Sequence, residues 1–373
     1  MMGAIANAVV DQAGSSQPGR LRAALFMTKG QSLGGRNNDH DFILDSLRAA
    51  GLDAELVDLA DLRQASEGVW YLRTASGETA WTPPHAALMY HGAIAPPNAA
   101  SVLTALQREG TSVVTSPNSW DLLTDKLRFA EEMGAAGVRV IPTEPVADEA
   151  AMHAARARFG GSAVFKPAVS TEGDGVFVAG PADDLAPIVD ELMPRSRAII
   201  AQPVIESRIR SGLEDRVFTS IVERATQNAA ARGATRAELD AIPDLLLDRR
   251  IEFRVHTIRH MDGSIEVPAI YARVGGDPDQ FVNNVAQGAS AYRVDFADLH
   301  AADQQAILDA ARRMPVDGDV AGWDLIGTPG QRRIIEGNSG PGLPDGSEGI
   351  HVPDVVRGYG RLLRDRAQLV ADR

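Results

Sequence analysis

Cysteine is absent from this sequence, which excludes disulfides, thiolate nucleophiles and thiolate metal sites. Lysine is nearly absent too. Lys29, Lys126 and Lys166 are the only ones in a chain that otherwise uses arginine for positive charge. A basic balance is also lacking: the formal net charge is −13, which argues against nucleic acid or an anionic membrane as a main partner. No apolar run approaches the ~20 residues that cross a bilayer. Residues 1–20 lack a basic stretch followed by a long apolar one, so they read as a disordered leader, and the expected location is cytoplasmic. There is no internal repeat, no Gly-x-Ser-x-Gly elbow and no Walker-type phosphate loop.

What is present has the balance of a soluble globular protein, 44% hydrophobic and 23% charged. A length of 373 residues suits two or three sub-domains. Residues 21–27, 54–59, 87–90 and 112–115 read as strands, with helices over 39–50 and 98–109 between them. That order predicts an open α/β sheet. Residues 69–72 and 79–81 read as a hairpin inserted into it. The glycine-containing loop 30–38 is either a substrate loop or an ordinary connection. One helix is expected over 117–133, and strands over 138–141, 163–166, 175–178 and 198–205, with helices over 148–159 and 181–193. Residues 208–248 carry apolar positions at helical spacing and read as two inserted helices. Their apolar faces are expected to pack on the body of the protein; a homodimer contact or a substrate lid is the alternative. Strands over 251–258 and 265–271, a helix over 301–314 and a helix over 353–369 complete the reading.

The chemistry is concentrated near the carboxyl end. Arg333-Ile-Ile-Glu336-Gly-Asn338 reads as a strand, so Glu336 and Asn338 share a face. Asp324 lies in a second strand, residues 320–326, and Thr328-Pro-Gly-Gln331 supplies a turn between the two. Asp324, Glu336 and Asn338 thus form a hard oxygen set suited to Mg²⁺, which completes its octahedron with water and substrate phosphates. The alternative is an exposed hairpin with a polar face.

Lys166 ends an apolar strand, where an unpaired charge is costly. Ser170, Thr171, Gly173 and Gly175 follow it in a turn whose N–H groups can close over phosphates, the alternative being a plain hairpin turn. Lys126 on its helix is a second candidate for a phosphate oxygen, though by itself a solvated helix charge is the reading its position favours. Arg254 and Arg273, on neighbouring strands, need anions. Asn283, in Phe281-Val-Asn-Asn284, can touch phosphate or substrate. The segment from Gln202 through Val204 to Glu206 leaves a strand in extended form; its backbone suits an adenine edge and Glu206 suits ribose hydroxyls, although by itself it reads as an ordinary strand-to-loop connection. His256 and His260 are four apart on a strand, so they do not converge as a helical metal pair would, and they read as structural.

Taken in order, these pieces resemble the ATP-grasp superfamily, most of all its glutathione-synthetase-like carboxylate–amine ligase branch. The pieces are Asp125-Lys126, Phe165-Lys-Pro167 with the 170–175 loop, the Gln202–Glu206 hinge, Arg254, Arg273, Phe281-Val-Asn-Asn284, Asp324 and Glu336-Gly-Asn-Ser-Gly-Pro-Gly342. The resemblance covers about residues 117–349. It implies an α/β and α+β fold of three sub-domains: 21–117 with the open α/β sheet, 118–202 as a small central unit, and 203–373 with the helical insertion 208–248. It also implies two Mg²⁺ ions on Asp324, Glu336 and Asn338, with Mn²⁺ able to substitute. ATP phosphates would lie on Lys126, Lys166 and Arg254, with an acyl phosphate on Arg273. The implied partners are a small-molecule carboxylate and an amine, amino acid or peptide, with no nucleic acid and no membrane. The implied reaction forms ADP; a phosphotransferase or a nucleotide-binding regulatory protein on the same scaffold is the alternative. Three features depart from the family pattern: the length of the 208–248 insertion, the Pro344-Asp-Gly-Ser347 extension, and Pro203 in the hinge.

Overall fold

The computed structural model describes residues 20–27, 39–90, 98–170, 173–196, 198–278, 281, 288–315, 318–343 and 353–373. The leader, the 30–38 loop, Thr171, Asn283 and the 344–347 extension lie outside the described residues, apart from Arg20.

The chain opens with β1 (Arg22–Met27), α1 (Asp39–Ala49) and β2 (Asp53–Asp58). A small antiparallel sheet follows, of β3 (Leu62–Ser66), β4 (Val69–Thr74) and β5 (Gly77–Trp81). Then come β6 (Ala86–Met89), α2 (Ala99–Arg108) and β7 (Ser112–Val114). β2, β1, β6 and β7 form a parallel sheet in that order. β1 and β6 are central in it, and Ala24, Leu25 and Phe26 with Ala87 and Leu88 are shut off from water, as strands buried on both faces require. The expected hairpin is thus three-stranded. β3 carries one buried residue, Leu62, and has no alternation to betray it.

Residues 117–133 are two helices, not one: α3 (Pro117–Thr124) and α4 (Lys126–Ala135). Asp125 sits between them in extended conformation, and its carboxylate caps α4 by accepting from Leu127 N and Arg128 N. The expected strand over 138–141 joins no sheet; Val140 makes a single isolated bridge to Ile334. β8 (Glu144–Val146), α5 (Glu149–Arg158), β9 (Ala163–Pro167), β10 (Phe177–Ala179), α6 (Ala186–Leu192) and β11 (Ile199–Pro203) follow. Their sheet runs β10-β9-β11-β8, antiparallel throughout. α5 and α6 cover one face around Met152, Phe165 and Leu192.

The inserted helices are α7 (Asp215–Ala231) and α8 (Arg236–Leu247). Val217, Ile221 and Ala225 of α7 join the largest core, so this apolar face packs on the body. A five-stranded antiparallel sheet completes the molecule. It runs β14-β13-β12-β15-β16, built from β12 (Ile251–Arg259), β13 (Ile265–Val274), β14 (Ser290–Arg293), β15 (Val320–Ile326) and β16 (Arg333–Asn338). Phe253, Val255, Ala272, Trp323 and Leu325 fill its dry side beneath α9 (Ala301–Arg313).

The helix α10 (Pro353–Ala371) packs on α1 and the parallel sheet. Tyr359, Leu362 and Leu363 share a core there with Leu25, Ile43 and Leu47, and with Ile258 and Val320 of the five-stranded sheet. Gly360 permits the approach, because a Cβ there would lie 3.0 Å from the Ser46 carbonyl oxygen.

Candidate active site

Alternation along β12 puts Glu252, Arg254 and His256 on the face opposite the dry core. The register carries that face sideways. On β13, Arg273 lies opposite Glu252, Tyr271 opposite Arg254 and Ala269 opposite His256. On β15, Asp324 lies opposite Arg254 and Gly322 opposite His256. On β16, Glu336 lies opposite Asp324 and Asn338 opposite Gly322. The expected hairpin is present, and its two carboxylates and one amide share one patch.

The charges on this patch are interlocked. Asp324 accepts from Arg254 Nε and, at 2.9 Å, from Arg254 Nη2. It also pairs with Arg273 Nη2 at 2.7 Å. Arg273 Nη2 pairs in turn with Glu252 Oε1 at 2.5 Å. Burial alone would raise the Asp324 carboxyl, but the two guanidinium groups overcome it and hold the group well below the usual carboxylate range. Glu252 goes the other way. Burial outweighs Arg273, Asp324 adds repulsion, and the carboxyl is pushed up to about 7. Burial opposes the charge on Arg254, and Asp324 more than restores it.

The two lysines approach from the neighbouring sheet. The break at Asp125 turns Lys126 toward the end of β9, where its backbone N–H donates to Ala168 O at 2.9 Å. Its ammonium donates to Ser170 O at 2.7 Å and lies 3.5 Å from Glu336 Oε2. Lys166 is buried on β9, and its ammonium has no hydrogen bond or ion pair among the described residues. Burial pulls it down to about 8, with Lys126 adding to the effect and Glu336 opposing it. After Lys166 the chain turns through Gly173 and Gly175, both at positive φ. A Cβ on Gly175 would come within 3.1 Å of Pro167 Cδ, so this turn is pressed onto the end of β9.

The hinge leaves β11 as an extended segment. Gln202 is buried and donates through Nε2 to Thr143 Oγ1 at 2.9 Å, which leaves its backbone as the part able to meet a ligand. Val204 is half-buried. The Ile205 carbonyl is taken by Arg250 Nη2 at 3.1 Å, and Glu206 is exposed, accepting from Ser211 Oγ at 2.8 Å. Asn338 points its Nδ2 toward Gly322 O at 3.5 Å, leaving its amide oxygen for a cation. Two carboxylates and that oxygen suit Mg²⁺ in chemistry, and the register puts all three on one patch.

Reading the sequence missed Glu252, although it stands two positions before Arg254, where alternation puts it on the same face. It also set His256 and His260 aside together. His260 pairs with Glu266 at 2.8 Å just beyond the end of β12. His256 is on the charged face.

A strip of chain closes over this face. Pro341 lies where a Cβ on Gly322 would sit, 2.4 Å from its own Cβ. Tyr90, just beyond β6, donates to Pro341 O at 3.0 Å, and Tyr271 donates to Gly342 O at 3.3 Å.

No family model and no curated protein sequence matches this chain. Solved structures do. A RimK domain protein ATP-grasp from Sphaerobacter thermophilus DSM 20745 superposes with a TM-score of 0.57 at 17% identity, covering 92% of this chain and 99% of that one. D-alanyl-alanine synthetase A from Vibrio cholerae O1 biovar eltor str. N16961 does so with a TM-score of 0.59 at 13% identity, covering 93% and 99%. The ATP-grasp ligase PsnB, complexed with a minimal precursor, Mg and ADP, gives 0.58 at 13% identity, covering 93% and 97%. The chain has the ATP-grasp fold. The open parallel sheet, the small antiparallel sheet and the five-stranded sheet are the parts of that fold. No helix among the described residues is long and apolar enough to cross a membrane.

Proposed function

We propose that this ATP-grasp protein is an ATP-dependent ligase that activates a carboxylate as an acyl phosphate and joins it to an amine, releasing ADP and phosphate. The observation that carries the reading is the approach of Lys126 to Glu336. A phosphate-type ammonium from one sheet lies 3.5 Å from a metal-type carboxylate on the next. Lys166 is buried, has no hydrogen bond or ion pair among the described residues, and faces the same patch. A buried ammonium placed so favours an anion brought by a ligand.

In this reading the nucleotide lies between the β9–β11 sheet and the charged face. The backbone at Gln202 and Val204 meets adenine, and Glu206 meets ribose. Ser170, Gly173 and Gly175 cover the phosphates, and Thr171 and Asn283 belong to the same reading. Lys126 and Lys166 hold phosphate oxygens. Mg²⁺ on Asp324, Glu336 and Asn338 supplies charge neutralisation at the phosphates when bound. Asp324 already accepts from two guanidinium groups, so a cation held there would share its oxygens with them, and donors of Arg254 and Arg273 would be able to turn to the transferred phosphoryl group and the acyl phosphate. The substrate carboxylate attacks the γ-phosphorus, ADP leaves, the amine attacks the acyl carbon, and phosphate leaves. The substrates are amino acids or peptides, as for the D-alanyl-alanine and precursor-peptide ligases among the structural neighbours.

The test is ADP release from the purified protein with ATP, Mg²⁺ and a panel of amino acids and dipeptides supplied in pairs. The expected result is ADP formation that needs both an acid and an amine. No substrate-dependent ADP across the panel would end the proposal.

A further inference from the structure

His256 is 1% exposed, and neither ring nitrogen has a hydrogen-bond partner among the described residues. A buried imidazole used for packing alone ordinarily satisfies at least one nitrogen, because leaving both dry costs stability. This one is also flanked by the smallest side chains on its face, Gly322 on one side and Ala269 on the other. Charged groups act on it from the same face. Arg254 is two positions away on the same strand face, and the Tyr271 ring stands 5.8 Å off, tilted by 38°. Burial and then Arg254 and Arg273 lower the imidazole to about 3, with Asp324 opposing, so it is neutral at physiological pH. A neutral imidazole has one nitrogen that donates and one that accepts.

Position gives this orphan a task. His256 lies on the far side of Arg254 from Glu252 along β12, opposite Gly322, against which the strip at Pro341 and Gly342 packs. That strip is tied down by the two tyrosine hydroxyls, one of them from Tyr271, whose tilted ring stands beside His256. A second substrate that displaces the strip meets the imidazole.

Building on the ligase reading, we propose that His256 is a specificity-determining contact for the acceptor amine, receiving a hydrogen bond from the nitrogen that attacks the activated carboxyl. In that step the amine nitrogen bonds to the acyl carbon. The acyl carbon–oxygen bond to phosphate breaks with its electron pair, and the proton shed by nitrogen leaves on the phosphate. The imidazole gains no net proton. It accepts from one N–H of a neutral amine and so turns the lone pair toward the acyl carbon. An ammonium has no such lone pair and is repelled by the arginines. The contact selects a primary or secondary amine in its uncharged form.

The experiment compares wild type with His256→Leu and His256→Asn, using the acid and amine found by ADP release, and separately hydroxylamine at high concentration. Hydroxylamine traps an acyl phosphate as a hydroxamate without needing an acceptor pocket. His256→Leu should keep the hydroxamate rate within about twofold and raise KM for the amine about tenfold, the size of one lost hydrogen bond. His256→Asn, which retains an acceptor, should recover most of that loss. Because the leucine removes two unsatisfied nitrogens, its Tm should rise by about 1–3 °C. An unchanged amine KM in the leucine variant overturns the proposal, as does an equal loss of hydroxamate rate. A Tm lowered by about 5 °C or more also overturns it, since the histidine would then be holding structure. Wild type that releases no ADP with any acid defeats the ligase reading itself, a result distinct from all of these.

Discussion

Asp324 stands opposite Arg254 in the β12–β15 ladder, and its carboxylate is shared between that guanidinium and the one on Arg273. The acid proposed to hold a metal ion is therefore neutralised by two guanidinium groups of its own sheet. A cation must compete for it, and a nucleotide that draws the arginines away makes the competition easier. Mg²⁺ alone should bind weakly, and ADP should tighten it by about tenfold or more, roughly 1.4 kcal/mol. Calorimetric titration of Mg²⁺ with and without ADP measures this. Equal affinity in both titrations would show that the ion pairs do not gate the site.

Glu336 is only partly buried, so its removal should harm chemistry more than folding. Glu336→Gln should lower ADP release by about 100-fold or more while leaving Tm within about 2 °C. Turnover and a thermal melt on the same preparation test both halves. Normal turnover would remove Glu336 from the site.

Lys166 predicts a pH dependence with a definite sign. Its folded value is about 8, below the ordinary 10.5, so between these limits the unfolded chain holds the proton more tightly. The cost of the buried ammonium is full below about pH 8 and fades as pH climbs toward the unfolded value. Relative to Lys166→Met, the wild type should gain stability across that window. ADP affinity should fall over the same range, since phosphate needs the charged form. Urea midpoints and ADP titrations at about pH 7 and about pH 10 decide it. Parallel stability curves for the two proteins would refute the account.

Arg332 is fully buried and gives Glu214 two hydrogen bonds, at 2.7 and 2.6 Å, and Asp303 one at 3.0 Å. It ties the start of the inserted helices to α9 and to the turn of the metal-type hairpin. Arg332→Ala leaves Glu214 with the His300 N–H and takes one of its two guanidinium partners from Asp303, which keeps Arg139, and should cost about 3 kcal/mol. Arg332→Ala paired with Glu214→Gln and Asp303→Asn should cost less than the single change. Denaturant unfolding of both proteins checks this; equal losses would mean that packing, not charge, sets the cost.

The hairpin bearing Asp324, Glu336 and Asn338 was legible because alternation of period two fixes a shared face without knowledge of any neighbour. The same rule applied to Glu252 would have found it; the eye went to the arginine. The arginine–Asp324 lock was not legible, because its partners are 70 residues apart and only the sheet register joins them. Asp125 hid the break between α3 and α4, since the apolar spacing on both sides continues through it. β8 and β14 are too short to show alternation, at three and four residues. Thr171 and Asn283 lie outside the described residues, so their expected part rests on the proposal alone.

The Ser46 hydroxyl donates to the Val356 carbonyl at 2.7 Å, across 310 residues of chain. α1 leaves the ribosome long before α10, and until then Ile43 and Leu47 face water where Leu362 and Leu363 will later sit. The opening sheet can therefore form during synthesis but cannot be sealed. A chain interrupted ahead of residue 353 would present that greasy seam to chaperones and to other copies of itself, and its fate would be precipitation rather than a smaller folded protein.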